Sequence, residues 1–211
     1  MKIIEQSYEV MSMADYSFML EQIEIAGRTC YKSEDKITMD SAEKFVRGLI
    51  KSGHHSVLEH QSITVKFITD RAVLAELTRH RLASFSVESQ RFCNYGQDKF
   101  SGAVTFIKPV FWAEESENYN IWVSAMQSAE QYYFSLLKSG AKPEQARAVL
   151  PNSTKTEIVM TCNLREWRHV LNLRCSPAAY SQIRELMLPL LKNFANEMPA
   201  FFSDILEKYN G

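Results

Sequence analysis

Residues 62–91 read SITVKFITDRAVLAELTRHRLASFSVESQR, and the change of period inside this run decides the fold class. Ile63, Val65 and Phe67 alternate with polar neighbours, which is the two-residue period of a strand with one buried face. From residue 71 the pattern turns helical, and the spacing predicts a helix over 71–81. The run then closes on a serine-rich turn flanked by Arg79, Arg81 and Arg91. A strand that feeds a helix, with no regular βαβ repetition around it, predicts an α+β fold. Its sheet is mostly antiparallel and packed with helices, which favours it over a doubly wound sheet.

The flanks extend this reading. Residues 2–9 alternate like a first strand, and 14–28 and 40–52 read as helices. In the second helix Ala42, Phe45, Val46 and Leu49 share a face, Asp40 or Ser41 is placed to cap it, and Gly53 to end it. Residues 103–109 form a short strand candidate ended by Pro109. Residues 117–138 form a long amphipathic helix rich in aromatics, and Pro143 suits a helix start. A last strand is expected at 154–162, followed by helices at 164–173, 178–195 and 199–209. No repeat or Pro/Gly-rich linker divides the chain, so one domain over 1–211 with helical additions is expected.

Composition narrows the function. The chain has 211 residues, 45% of them hydrophobic, enough for a sizeable core. A net charge of −1 argues against a broad nucleic-acid surface, which needs many phosphate-neutralising cations. Cys30, Cys93, Cys162 and Cys175 are far apart, form no C-x-x-C pair and fit a reducing cytoplasm. The N-terminus MKIIEQSYEV lacks an apolar signal core, and no apolar run nears the roughly 18 residues of a membrane span.

Three constellations carry candidate chemistry. Within 79–91, three arginines, one histidine and three serines sit against a single glutamate, a set suited to a small phosphorylated ligand. A solvated basic helix end is the plainer reading of the same residues. In GHHSVLEHQS (53–62), His55 and Glu59 are four apart, yet the H-E-x-x-H order of zinc proteases is absent. That stretch reads as a ring- or phosphate-binding turn, or as a plain turn with satisfied histidines, rather than a metal site. In NLREWRHVLNLR (163–174), Arg165, His169 and Leu173 share a face by four-residue steps. Arg174 there, and Arg147 in PEQARAVLP, are each either a buried ion-pair partner or an anion anchor. Cys175 beside Arg174 could be a thiolate, but buried free cysteine is more often inert. There is no G-x-G-x-x-G and no G-x-S-x-G.

Taken together these motifs resemble one family. Arg79-His80-Arg81, seven residues and then Ser89 is similar to the signature of the flavin-dependent thymidylate synthases, the ThyX family. GH-x-S-x-x-EH at 53–60 resembles the family's early flavin-binding turn. R-x-VLP at 147–151 and N-x-R…LNLR at 163–174 resemble its C-terminal half.

The resemblance implies conversion of dUMP to dTMP, with methylenetetrahydrofolate giving the carbon, NADPH the electrons and non-covalent FAD the hydride. No cysteine nucleophile is involved. By similarity Ser56, Arg79, His80 and Arg81 contact FAD, and Asn163, Leu164, Arg165 and His169 hold the flavin. His54 lies near the folate and flavin rings. Glu76, Leu77, Thr78 and Arg79 line the dUMP site. The turn Val87, Glu88, Ser89, Gln90 and Arg91 cradles its phosphate, and Arg147 adds a cation. Arg174 faces the uracil as the catalytic group, favouring its N3-ionised form without giving up a proton. The family's sites form where subunits of a homotetramer meet, and no metal is implied. Two positions depart from the family pattern. Val87 stands where Gln or Glu is usual, beside flavin and nucleotide, and Gln182 stands where Glu is frequent.

Overall fold

Strand β3, Ser62–Asp70, runs into helix α3, Arg71–Leu77, and the junction is fixed by one carboxylate. Asp70 caps α3 by accepting from the Val73 N–H at 2.7 Å. The computed structural model describes residues 1–97 and 102–209.

Helix α3 stops four residues before the sequence reading places its end. The Thr78 hydroxyl folds back onto the Leu74 carbonyl at 3.0 Å and closes the last turn. Residues 79–82 then leave the helix, and the stretch read as a serine-rich turn becomes strand β4, Ala83–Val87. Ala83, Phe85 and Val87 alternate with the serines there, so the strand period was present beneath the hydroxyls.

The expected first strand is also two strands, β1 Lys2–Ile4 and β2 Ser7–Ser12. They separate because they serve different sheets. β1 pairs in parallel with β5, Thr105–Ile107, with Ile3 opposite Phe106. β2 edges a four-stranded sheet of order β2-β3-β6-β4, where β6 is Lys155–Asn163. The strands are mostly antiparallel, as the α+β reading requires. The remaining helices are α1 Tyr16–Tyr31, α2 Ser41–Lys51, α4 Glu117–Lys138, α5 Pro143–Ala146, α6 Leu164–Arg174, α7 Ser181–Glu197 and α8 Pro199–Tyr209. Short 3-10 turns occupy Glu34–Lys36, Ser56–His60 and Arg147–Val149.

The chain divides into two compact units that its course interleaves. One comprises Met1–Ser7, Phe67–Arg79 and Phe85–Val159. Its core is built on α4, whose Tyr119, Trp122, Met126 and Tyr133 are buried with Tyr95, Val104 and Phe106. Polar tips inside it are satisfied: Trp122 donates to the Ser153 hydroxyl at 3.0 Å, and the Tyr133 hydroxyl accepts from the Tyr95 N–H at 3.3 Å. The other unit comprises Tyr8–Lys66, His80–Ser84 and the chain from Met160 onward. Its core is helical. Trp167 of α6 stacks edge-on against Phe194 of α7 at 5.6 Å and donates to the Ile63 carbonyl at 3.0 Å. Truncating such a buried indole costs about 3–5 kcal/mol. Gly27 lets α1 approach α2 closely, since a Cβ there would meet the Phe45 ring at 2.7 Å. Gly53 ends the α2 turn at φ +73, a backbone state that favours glycine. Among the described residues no helix is long and apolar enough to cross a membrane.

Candidate functional site

The first unit holds the expected nucleotide residues apart from Arg174, which falls in the second. The turn after β4 is anchored by its own carboxylate. Glu88 continues the strand pairing by donating its N–H to the Glu157 carbonyl at 2.8 Å. Its side chain accepts from the Tyr95 hydroxyl at 3.0 Å and from Lys155 Nζ at 2.8 Å, and Lys155 also pairs with Glu157. The Ser89 carbonyl then accepts from the N–H groups of Phe92 and Cys93, which curls the chain into a turn. Gln90 is buried, and Val87 is exposed.

Two cations flank this turn. Arg91 Nε donates to Glu144 Oε2 at 3.0 Å, and Arg147 Nε donates to the Glu144 carbonyl at 3.2 Å. Both arginines are exposed, and Glu144 gathers them. An exposed pair of this kind contributes about 0–1 kcal/mol, so an anion of higher charge can displace the carboxylate. Glu76 is half-buried, Arg79 is exposed, and the Thr78 hydroxyl is spent on the end of α3. Leu77 is fully buried, so only its backbone can meet a ligand.

Burial sets the charges here. Tyr95 is pushed well above the ordinary phenol range, first by burial and then by the Glu88 carboxylate, so it stays a hydrogen-bond donor. Burial lowers Lys155, but hydrogen bonds to Glu157 and Glu88 outweigh it and its pKa ends raised.

The second unit holds the expected flavin residues apart from Arg79 and Val87, which fall in the first. A recess of about 370 Å³ is lined by Cys30, Tyr31, His54, Ser56 and Arg165. Arg165 reaches over it from α6 and meets Glu59 Oε1 at 2.5 Å. Helix α6 is fixed in place at its first residue. The Leu164 N–H donates to the Gln61 carbonyl at 2.9 Å, while the Leu164 side chain is buried. Asn163 caps the helix, its Oδ1 accepting from the Glu166 N–H at 2.9 Å. Arg81 and His169 are exposed. A guanidinium, a hydroxyl and an imidazole around a half-open recess suit an anionic, ring-bearing ligand, so the donor set fits a flavin nucleotide. A larger recess, about 720 Å³, lies along α1 and residues 37–43, but Glu21, Glu24, Asp40 and Glu43 line it and would repel phosphate.

The tightest chemistry of this unit is a buried cluster. Arg174 Nε donates to His80 Nε2 at 3.0 Å. His80 Nδ1 lies 3.4 Å from Glu166 Oε1, and the His169 ring meets the His80 ring edge-on at 5.6 Å. His80, Glu166 and Arg174 are each less than 10% exposed. Burial raises the Glu166 pKa, with His169 and Arg165 acting the other way. His80, Glu166 and His169 place three donor atoms within 4.8 Å of one another, a spacing compatible with a metal. The guanidinium held on His80 Nε2 opposes a second cation there, and pairing between carboxylate and imidazole accounts for the geometry. Cys162 and Cys175 are both buried, and burial pushes their thiols up, Cys175 to about 12. Neither is a thiolate nucleophile at neutral pH.

Sequence reasoning missed Glu166, Lys155, Tyr95 and Glu144. For Glu166 a signal existed, since it stands three residues after the capping Asn163, but that spacing also marks an ordinary helix start.

Comparison with known proteins adds a separate line. Residues 13–200 match the family model described as thymidylate synthase complementing protein. The chain is 34% identical over 190 residues to a flavin-dependent thymidylate synthase of Geobacter sulfurreducens, covering 86% of this chain and 80% of that one. It is 37% identical over 201 residues to that of Mycobacterium tuberculosis, covering 86% and 78%. Among solved structures, the Streptomyces cacaoi UMP/dUMP methylase PolB bound with 5-Br dUMP superposes with a TM-score of 0.80 at 26% identity, covering 96% of each chain. Thymidylate synthase X from Helicobacter pylori, solved with FAD and dUMP, superposes at 0.77 and 22% identity, over 95% and 99% of the two chains, and supports the fold.

Proposed function

The chain belongs to the thymidylate synthase complementing protein family, and on that basis we propose that it is a flavin-dependent thymidylate synthase converting dUMP to dTMP. The observation that carries the reading is the buried Arg174 guanidinium held on His80, in the unit where His54, Ser56 and Arg165 line a polar recess. The one-carbon donor is methylenetetrahydrofolate and the reductant NADPH. When bound, FAD supplies the two-electron reducing capacity of the reaction.

Ser56, Arg81, Arg165 and His169 hold the flavin, with Asn163 fixing the start of the helix that carries the last two. His54 stands at the same recess, toward the rings. The backbone of 87–91, with Ser89, Arg91 and Arg147, binds the nucleotide phosphate, and Glu76 and Arg79 line the nucleotide site. Arg174 stabilises negative charge developing on the pyrimidine. A guanidinium serves because it stays charged while donating hydrogen bonds. Val87 offers a nucleotide only backbone groups and an apolar side chain, and Gln182 keeps hydrogen bonding without charge. The working form is a homotetramer in the cytoplasm, each chain a single domain, with sites completed by neighbouring subunits.

A flavin absorbance spectrum tests this. Purified protein supplied with FAD should be yellow, and dUMP should perturb the flavin bands. Protein that stays colourless after incubation with FAD would sink the proposal. The superposition with a UMP/dUMP methylase makes UMP the informative competitor. Preference for dUMP over UMP in product analysis supports the thymidylate reading.

A further inference from the structure

We infer that Glu166 is a positioning residue: it selects the His80 tautomer that holds the Arg174 guanidinium in one plane. The inference rests on the proposed function only for what Arg174 does to a pyrimidine; the contact itself is a matter of geometry.

An arginine Nε always carries hydrogen, so the 3.0 Å contact makes His80 Nε2 the acceptor. A neutral imidazole that accepts at Nε2 keeps its proton on Nδ1. That nitrogen faces Glu166 Oε1 at 3.4 Å, and a carboxylate oxygen is the acceptor it needs. The opposite tautomer fails at both ends. It sets two N–H groups against each other at Arg174 and a lone pair against the carboxylate at Glu166. All three groups are buried, where such mismatches are costly.

Helix geometry explains how one imidazole serves both partners. Glu166 lies in the first turn of α6 and Arg174 is its last residue. Eight positions separate them, just over two turns, so they share a face. His80, from the segment before β4, bridges them along that face. Arg174 stands at a helix end, where a long side chain has most freedom. A bond to Nε fixes the whole planar guanidinium, because Nε, Cζ and both Nη atoms are coplanar. Glu166 therefore acts through His80 rather than on a ligand.

The test uses the full chain labelled with 15N-histidine, the His80 signal being identified by its loss in His80→Gln. Long-range proton–nitrogen spectra report which ring nitrogen bears the proton. The wild type should show the Nδ1–H form. Glu166→Met fills the space without an acceptor, and should lose that preference and lower kcat for dUMP about tenfold, with a smaller change in KM and unchanged FAD content. Glu166→Gln keeps an acceptor oxygen and should recover both the tautomer and most of kcat. Retention of the Nδ1–H form in Glu166→Met would overturn the inference, as would equal damage from Gln and Met. Glu166→Ala repeats the comparison should methionine fail to pack. The tautomer readout needs neither flavin nor nucleotide. If the wild type lacked dUMP turnover, the proposed function would fail while the tautomer comparison still decided this inference.

Discussion

Glu88 in the first unit and His80 in the second each sit at the centre of a small polar cluster, and they are satisfied in opposite ways. Glu88 accepts from two donors, Lys155 and Tyr95, so its charge is balanced by its own unit. His80 has a donor on one nitrogen and faces an acceptor across the other, and the donor is an arginine whose charge it does not neutralise. The first cluster is an anchor for the 87–91 turn. The second holds a cation in place while leaving it positive. Paired charges preserve the shape of a turn, whereas a neutral acceptor fixes a guanidinium without cancelling its field.

The largest expected effect comes from the second cluster. Arg174→Ala removes the charge and the N–H that His80 Nε2 accepts from. Turnover of dUMP should fall by roughly 10²–10³-fold, the range for losing a positioned charge-stabilising donor. Protein stability should change far less. Steady-state kinetics beside thermal melting checks this, and a large drop in melting temperature with modest kinetic loss would reverse the roles given to the two clusters.

The first cluster should respond in the other sense. Lys155→Met leaves the Glu88 carboxylate with Tyr95 alone. Glu88 and Lys155 are 11% and 17% exposed, so the loss should be about 2 kcal/mol, below that of a fully buried pair. Adding Glu88→Gln should recover most of it, since the orphaned charge goes too. The same pair sets an alkaline signature. Its folded pKa is raised above the ordinary lysine value, so the stability it contributes is fully present below that value and is lost as pH rises through the folded pKa. Denaturant unfolding followed toward high pH should show this loss in wild type and not in Lys155→Met.

The sequence displays one side of this comparison better than the other. Arg79, His80, Arg91, Arg147 and Arg174 are legible because charge and spacing mark them without a partner. Lys155 and Glu166 are not, because their meaning comes from residues far along the chain. Lys155 meets Glu88 across 67 positions, and Glu166, on α6, faces His80 from before β4. Fold elements divide likewise. β3, α4 and α6 announce themselves by unbroken periods, and all three hold within a residue or two. The end of α3 and the start of β4 do not. Arg79, Arg81, Leu82 and Ala83 favour continued helix by propensity, and the pairing of β4 with β6 overrides it.

Glu144 offers the finest test, because it sits where the anchor gives way to the binding surface. It accepts from Arg91 through its carboxylate and from Arg147 through its backbone, so only the first contact depends on its charge. Both partners of the ion pair are well exposed, 62% and 39%, and solvent screens the pair. Glu144→Gln should therefore leave stability within about 0.5 kcal/mol of wild type. It should tighten dUMP binding by about two- to threefold, since phosphate no longer competes with a carboxylate for Arg91, and the gain should shrink as salt is added. Calorimetric titration at two ionic strengths reads both effects. Weaker dUMP binding in Glu144→Gln would mean that the carboxylate orients Arg91 rather than competing for it, and Glu144 would then belong with Glu88 as part of the anchor.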